Sequence, residues 1–82
     1  MAHKVIVYTQ PTCGPCQEEK MWLTHNHIPF EERDIRKNDA FFQEAISLGA
    51  SMTPVTLIEK EDGEKVVVHG FDKEEIRKNL SL

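Results

Sequence analysis

Both cysteines of this 82-residue chain lie in one Cys-x-x-Cys unit, Cys13-Gly14-Pro15-Cys16. A secreted domain of this size would usually carry several spaced cysteines that form a disulfide framework. A bridge across a two-residue gap closes a very short loop, and the stability that a disulfide provides grows with loop length. The spacing therefore indicates that these cysteines are reactive and do not serve as a structural staple.

The segments on either side of the pair predict a strand followed by a helix. Residues 4–9 are mostly β-branched or aromatic, which is typical of a buried strand. Good helix formers follow from residue 14, with Pro15 suited to the first turn, and residues 26–29 end that helix. Cys13 should thus lie just before the helix, where unpaired N–H groups and the helix dipole stabilise an anion.

This placement gives the two thiols different expected roles. Thiol–disulfide exchange needs a thiolate, which favours Cys13 as the attacking thiol. Cys16 falls one turn later on the inner face, close enough to resolve a mixed disulfide on Cys13. Gly14 permits a tight approach, and Pro15 stiffens the loop.

The middle of the chain predicts a strand, a helix and a hairpin. Residues 30–35 alternate in character and complete a right-handed βαβ unit. Asn38 or Asp39 caps a second helix that stops at Gly49. Two further strands, residues 55–58 and 66–68, are joined through Asp62-Gly63, which is a strong hairpin signal. The apolar residues of the second helix, expected to form one stripe, are Phe41, Phe42, Ala45 and Ile46.

The last helix has the clearest start in the sequence. Asp72 is its expected cap, and Glu75 lies three residues later, as in a capping box. Phe71 can pack onto Ile76 as a hydrophobic staple. The order βαβ, α, ββ, α predicts a mixed four-stranded sheet flanked by helices. With no repeat or linker in the sequence, we expect residues 1–82 to form one domain.

Charge and hydropathy exclude several classes of partner. The formal net charge of −4 leaves no excess of cations for phosphates, which argues against nucleic acid and an anionic membrane surface. No apolar stretch approaches the ~20 residues that span a bilayer. Residues 1–7 pass straight into a strand without a cleavage site, so we expect no secretory signal and a cytoplasmic location.

Zinc is the alternative use of a Cys-x-x-Cys pair, because His25 and His27 lie downstream. A helix from Cys16 to His25 would place the imidazole ~13 Å away, at ~1.5 Å per residue. Zinc ligands must all lie within ~2.3 Å of one ion. We therefore expect no metal site, and we expect His3, His25, His27 and His69 at the surface.

Thr53-Pro54 precedes a predicted strand, where the proline cannot donate to the sheet and forces Thr53 to be extended. Taken alone it is a strand-entry proline. With the cysteine motif and two other segments, however, the chain resembles the glutaredoxin-like branch of the thioredoxin superfamily along nearly its whole length. The segments that carry this resemblance are residues 7–16, 32–35, 52–55 and 69–72.

The resemblance implies a thioredoxin-like fold and a thiol–disulfide oxidoreductase. It implies a cis Pro54 facing Cys13 and a Thr53 backbone that pairs with an extended substrate. Besides Cys13 and Cys16, the site residues that it implies for substrate binding are Gln10, Gly14, Pro15, Thr53, Pro54, Gly70, Phe71 and Asp72.

Departures from glutathione-dependent glutaredoxins indicate the electron source. Gln10 stands where a cation is common, His69 where a second glycine is common, and Lys73 where a second acid is common. The Gly70-Phe71 pair and the length resemble NrdH-type redoxins, which thioredoxin reductase reduces and which supply ribonucleotide reductase. The Gly14-Pro15 dipeptide is typical of thioredoxins, whose couple lies near roughly −270 mV against about −200 to −230 mV for glutaredoxins.

We therefore expect a cytoplasmic, monomeric dithiol reductant of protein disulfides without a bound cofactor. Its electrons are expected from NADPH through thioredoxin reductase, with ribonucleotide reductase among its targets. Two alternatives stay open. A glutathione-linked glutaredoxin remains compatible with Asp72 and the Thr53-Pro54 backbone, and a zinc-binding or structural module would use the same cysteines.

Overall fold

A computed structural model describes residues 3–81, so Met1, Ala2 and the C-terminal Leu82 lie outside the described residues. The first two belong to the N-terminal segment from which we expect no secretory signal. The elements in chain order are β1 (Lys4–Thr9), α1 (Gly14–His25), β2 (Glu31–Asp34), α2 (Asp39–Ser47), β3 (Val55–Glu59), β4 (Lys65–His69) and α3 (Lys73–Leu80).

The four strands form one mixed sheet in the order β2-β1-β3-β4. The central strand β1 runs parallel to β2 and antiparallel to β3, and β4 completes an antiparallel hairpin with β3. The predicted fold and element order are confirmed. The limits of the strands differ by one or two residues, since β2 is shorter than residues 30–35 and the hairpin strands are longer than expected.

Side chains of β1 alternate between two cores because successive residues of a strand point to opposite faces. Val5 and Val7 belong to the cluster that contains Leu23 of α1 and Ile76 of α3. Ile6 and Tyr8 belong to the opposite cluster, which contains Ala45 of α2. The sheet thus separates α1 and α3 from α2, and β1 ends at the cysteine loop between these layers.

The predicted apolar stripe of α2 is only partly a core face. Ala45 is buried and Phe41 is half-buried, but Phe42 and Ile46 are 40% and 51% exposed. The helix is only nine residues long, and its first two turns pack beside the guanidinium of Arg33, which lies 5.5 Å from the Phe41 ring. This leaves two apolar side chains of α2 facing solvent.

The predicted caps of α2 and α3 and the predicted hairpin turn are confirmed. The Asn38 side chain accepts a hydrogen bond from the N–H of Ala40, and Asp72 accepts one from the N–H of Glu75. Gly63 turns the β3–β4 hairpin with a φ of 91°, a conformation that L residues other than glycine rarely adopt. Among residues 3–81, the longest helix has twelve residues, and none combines the length and apolarity needed to cross a bilayer.

Candidate active site at Cys13 and Cys16

Cys13 caps the N-terminus of α1. Its backbone is extended, and its Sγ accepts a hydrogen bond from the N–H of Cys16 at 3.2 Å. Pro15 occupies the first turn, where the missing N–H costs no helical hydrogen bond. A sulfur in this position faces unpaired N–H groups and the positive end of the helix dipole, and both stabilise a thiolate.

The two sulfurs are bonded to each other in this structure, with the Cα atoms 5.2 Å apart. Cys13 is half-buried, whereas Cys16 has no exposed surface. A partner sulfur can therefore approach Cys13 and is excluded from Cys16. This asymmetry is the one that the expected roles require, and attack by Cys13 with resolution by Cys16 stays a prediction.

The loop before β3 supplies the opposite wall of the site. The Thr53–Pro54 peptide bond is cis, as predicted, and Pro54 is buried. The Thr53 carbonyl oxygen lies 3.8 Å from Cys13 Sγ, and the Thr53 hydroxyl lies 3.6 Å from the same sulfur. Gln10 donates a hydrogen bond from Nε2 to the Thr53 hydroxyl oxygen at 3.0 Å. The structure thus brings Gln10, Thr53 and Cys13 together, while contact between Pro54 and the sulfur stays a prediction.

The turn after β4 joins the same loop from the other side. Gly70, with a φ of 76°, donates its N–H to the Pro54 carbonyl oxygen at 2.8 Å. The Phe71 ring packs edge-on against Trp22 at 6.0 Å between centroids, and the Asp72 carboxylate caps α3. Gly70 therefore helps to hold the Pro54 loop beside the redox site. In the described residues, Phe71 packs on Trp22 and Asp72 caps α3, so the contacts seen for these two residues stabilise the fold. Gly14 and Pro15 are exposed at the start of α1.

An open groove of about 520 Å³ runs from the redox site along α2. Gln10 and Thr53 form its near end, and the exposed side chains of Phe42, Ile46 and Met52 form much of its apolar wall. Sequence reasoning missed this groove because Phe42 and Ile46 fit the spacing of a buried stripe. The remaining lining residues are Ile35, Arg36, Ala45, Ala50 and Ser51.

Glu19 is a buried acid that sequence reasoning also missed. Its side chain has no exposed surface, and the Thr56 hydroxyl donates a hydrogen bond to Oε2. Its Oε1 is buried without a hydrogen-bond partner among residues 3–81. Burial raises the pKa of Glu19 to about 7, although the Thr56 hydrogen bond favours the charged form. A signal was available, since Glu19 lies three residues after Cys16 and four before Leu23, on the inner face of α1.

The histidines do not assemble with the cysteines. His25 and His27 are exposed near the C-terminal end of α1, at the opposite end from Cys13. Within residues 3–81, no three histidine, cysteine, aspartate or glutamate side chains are placed to share a metal ion.

Comparisons with known proteins agree with this geometry. The family model described as glutaredoxin matches residues 5–62. The chain is 32% identical to the glutaredoxin-like protein NrdH of Lactococcus lactis subsp. lactis, over 90% of this chain and 96% of that protein. The solved structure of the thioredoxin-like protein BC3987 superposes with a TM-score of 0.78 at 38% identity, covering 92% of this chain and 97% of that one.

A shorter match links the chain to regulators. It is 45% identical to the global transcriptional regulator Spx 2 of Lactococcus lactis subsp. lactis over 31 residues, which are 38% of this chain. The matched segment is 24% of that regulator, so the likeness is local. The match to NrdH extends over nearly all of both proteins, and the family model covers well over half of this chain. The chain belongs to the glutaredoxin family of thiol–disulfide oxidoreductases.

Proposed function

We infer that the protein reduces disulfides of target proteins through a dithiol–disulfide cycle of Cys13 and Cys16. The observation that carries this function is the asymmetry of the pair, an accessible sulfur at a helix N-terminus bonded to a fully buried one. In the reduced protein, the Cys13 thiolate attacks a target disulfide and releases one target thiolate. Cys16 then attacks Cys13, the internal disulfide forms, and the second target thiolate leaves.

Recognition of the target is proposed to use the Thr53 backbone and the groove beside it. The Thr53 carbonyl lies next to Cys13 Sγ, at the position where an extended chain could add to the edge of the loop. The groove that starts at Gln10 and Thr53 offers apolar surface to a side chain near the target cysteine. A protein disulfide fits these two features better than a small polar disulfide does.

Thioredoxin reductase is the proposed electron source. The Gln10 side chain is uncharged and already bonded to Thr53, so it offers no charge-assisted contact to a glutathione carboxylate. Lys73 lies with its Nζ 5.9 Å from the Phe71 ring, and its charge would repel the glutathione amine near Asp72. The resemblance to NrdH-type redoxins adds ribonucleotide reductase as a proposed target, together with a cytoplasmic location and a monomeric, one-domain protein.

A glutathione-linked activity is the second candidate, and one observation favours it. Arg36 lines the groove that begins at Thr53, and its guanidinium could receive a carboxylate. The Asp72 carboxylate caps α3 two residues after Gly70, whose N–H bonds the Pro54 carbonyl oxygen. A cation for the carboxylates of glutathione and an acid for its amine are therefore both present in the chain.

A coupled assay separates the two electron sources. Oxidised protein is mixed with NADPH and either thioredoxin reductase or glutathione plus glutathione reductase, and insulin serves as the disulfide substrate. We expect faster NADPH consumption with thioredoxin reductase and none with a Cys13→Ser variant. Turnover with glutathione alone would show that the second candidate is right, and no turnover with either would contradict a reductase.

A further inference from the structure

The inner face of α1 combines a redox-active sulfur with an acid. Cys16, Glu19 and Leu23 follow one another at helical spacing, and none of the three has exposed surface. Residues three apart on a helix have Cβ atoms about 5–6 Å from each other. The Glu19 side chain is long enough to bring a carboxyl oxygen to the Cys16 sulfur across that distance.

The surroundings of the carboxyl leave one of its oxygens available. Thr56 of β3 holds Oε2, and Oε1 is buried with no hydrogen-bond partner among residues 3–81. A buried polar atom without a partner is costly, and glutamine at this place could also bond Thr56 without adding an ionisable group. Packing alone therefore does not explain an acid here. Proton exchange with the neighbouring Cys16 thiol would explain why an acid stands at position 19.

We propose that Glu19 accepts the proton of the Cys16 thiol when Cys16 attacks the mixed disulfide on Cys13. The proposal rests on the proposed reductase function. In this step the Cys16 S–H proton moves to the Glu19 carboxylate, and the Cys16 sulfur bonds to Cys13 Sγ. The bond between Cys13 and the target sulfur breaks, and the target leaves as a thiolate that solvent protonates. When the internal disulfide is reduced again, the Glu19 carboxyl returns its proton to the departing Cys16 thiolate.

Burial supports this role by bringing the pKa of Glu19 to about 7, where the group gains and loses protons at physiological pH. Within the described residues, the buried side chains on this side of the sheet are mostly neutral. On the sheet side, β3 presents Thr56 and β1 presents Val7 and Thr9, while α3 presents the apolar Ile76. On its own helix the facing ionisable group is the Cys16 thiol.

β2 brings two acids, Glu32 and Asp34, to this side of the sheet, because they pair with Val7 and Thr9 of β1. The Asp34 carboxylate accepts a hydrogen bond from the N–H of Arg36 at 2.8 Å. Glu32 is likewise bonded to other groups. Its Oε2 accepts hydrogen bonds from the Thr9 hydroxyl at 2.8 Å and from Lys20 Nζ at 2.9 Å. The Lys20 hydrogen bond keeps the pKa of Glu32 below its usual range. Glu32 therefore remains a carboxylate throughout the neutral range and does not titrate with Glu19.

A single-turnover assay separates the resolving step from the first attack. Reduced protein reacts with excess dithiobis(nitrobenzoate), whose first chromogenic thiolate is released by Cys13 and whose second is released by Cys16. We expect the rate of the second release to rise through a midpoint near neutral pH in the native protein. In Glu19→Gln that midpoint should disappear and the second release at neutral pH should slow on the order of 10²-fold, with the first release unchanged.

Three further variants distinguish proton transfer from a structural effect. Thr56→Val removes the hydrogen bond that favours the carboxylate, so the midpoint should move to higher pH. Thr56→Ser restores the hydroxyl and should return the midpoint toward the native value. Glu18→Gln makes the same change at the exposed neighbouring position and should leave both releases unchanged.

The results that would contradict proton transfer to Glu19 differ from those that would contradict the proposed reductase function. If Glu19→Gln keeps the native midpoint and rate, or if Thr56→Val leaves the midpoint in place, Glu19 is not the proton acceptor. If Glu19→Gln does not fold, far-ultraviolet circular dichroism shows the loss of helix, and the Thr56 pair decides the matter. Release of only one thiolate by the native protein would instead contradict resolution by Cys16, and with it the proposed function.

Discussion

The N–H of Cys16 points at the sulfur of Cys13 and lies 3.2 Å from it. The Cys16 N–H thus stabilises negative charge on the Cys13 sulfur, which favours the reactive thiolate and makes that sulfur a better leaving group. The contact is available only because Cys13 stands just outside α1 and Cys16 just inside it.

This relationship predicts which thiol reacts first. Iodoacetamide at neutral pH should alkylate Cys13 before Cys16 in the reduced protein, because Cys13 is accessible and its thiolate is stabilised at the helix start. Peptide mass mapping after short exposure measures the order. A Cys16→Ser variant should also accumulate mixed disulfides with its targets. Preferential labelling of Cys16 would reverse the assignment.

The uncharged side chain at position 10 predicts a specificity change. Gln10→Lys places a cation beside Thr53, where it can meet a glutathione carboxylate, and kcat/KM for glutathione should rise about tenfold, as one charge-assisted hydrogen bond allows. Glutathione-dependent reduction of the oxidised protein is the measurement. Gln43→Lys adds the same charge at an exposed position of α2 and is the matched control. Equal gains in both variants would show only a general charge effect.

The groove predicts that variants of its apolar wall lose activity toward protein disulfides but keep their activity toward small disulfides. Phe42→Ser and Ile46→Ser should each lower kcat/KM for a protein disulfide by roughly three- to tenfold, since each removes apolar contact area from the groove. Both should react normally with dithiobis(nitrobenzoate). Met21→Ser removes an apolar side chain of α1 that is 70% exposed and lies away from the groove, and it serves as the control. A uniform loss for both substrates would indicate damage to the redox site itself.

Glu19 predicts that the oxidised protein becomes less stable as pH rises. Its pKa is about 7 in the folded protein against 4.5 for the free side chain, so the folded state holds the proton more tightly. The free energy of unfolding should therefore fall between about pH 4.5 and 7, by on the order of 3 kcal/mol, and level off above that range. Urea unfolding at several pH values measures this slope, and Glu19→Gln should flatten it. A native slope that is absent from pH 5 to 7 would contradict the raised pKa.

The cap of α3 predicts a modest effect on stability. Asp72→Ala leaves the N–H of Glu75 without its acceptor and should cost about 1 kcal/mol. For a chain of this size that corresponds to a decrease in Tm of roughly 4–8 °C. Asp72→Ser keeps an acceptor oxygen and should recover most of the loss. If Asp72→Ser is as unstable as Asp72→Ala, capping is not the cause.

Local signals explain why most of the fold could be predicted. The β-branched run of β1, the cap at Asp72 and the turn at Gly63 each depend on short-range physics, and each lies where expected. The Cys13–Cys16 spacing likewise fixed the position of the site. The cis bond at Pro54 was expected from family resemblance, because residue type alone indicates only an extended Thr53.

The groove and the buried acid depend on contacts between distant segments, which a single sequence does not display. Phe42 and Ile46 have the spacing of a core stripe, and only the packing of α2 against the sheet shows that they face solvent. Glu19 is a good helix former in a helical segment, and its partner Thr56 lies thirty-seven residues away. A charged residue at a buried helical position was the one available clue.

The edge-on packing of Trp22 against Phe71 has a spectroscopic consequence. Trp22 is the chain's one tryptophan, and it lies on the helix that begins at the cysteines. Phe71 follows Gly70, whose N–H holds the Pro54 carbonyl beside the redox site. A target or reductase seated on that turn will alter the environment of the indole. The molecule therefore contains its own fluorescent reporter of docking, readable without a label.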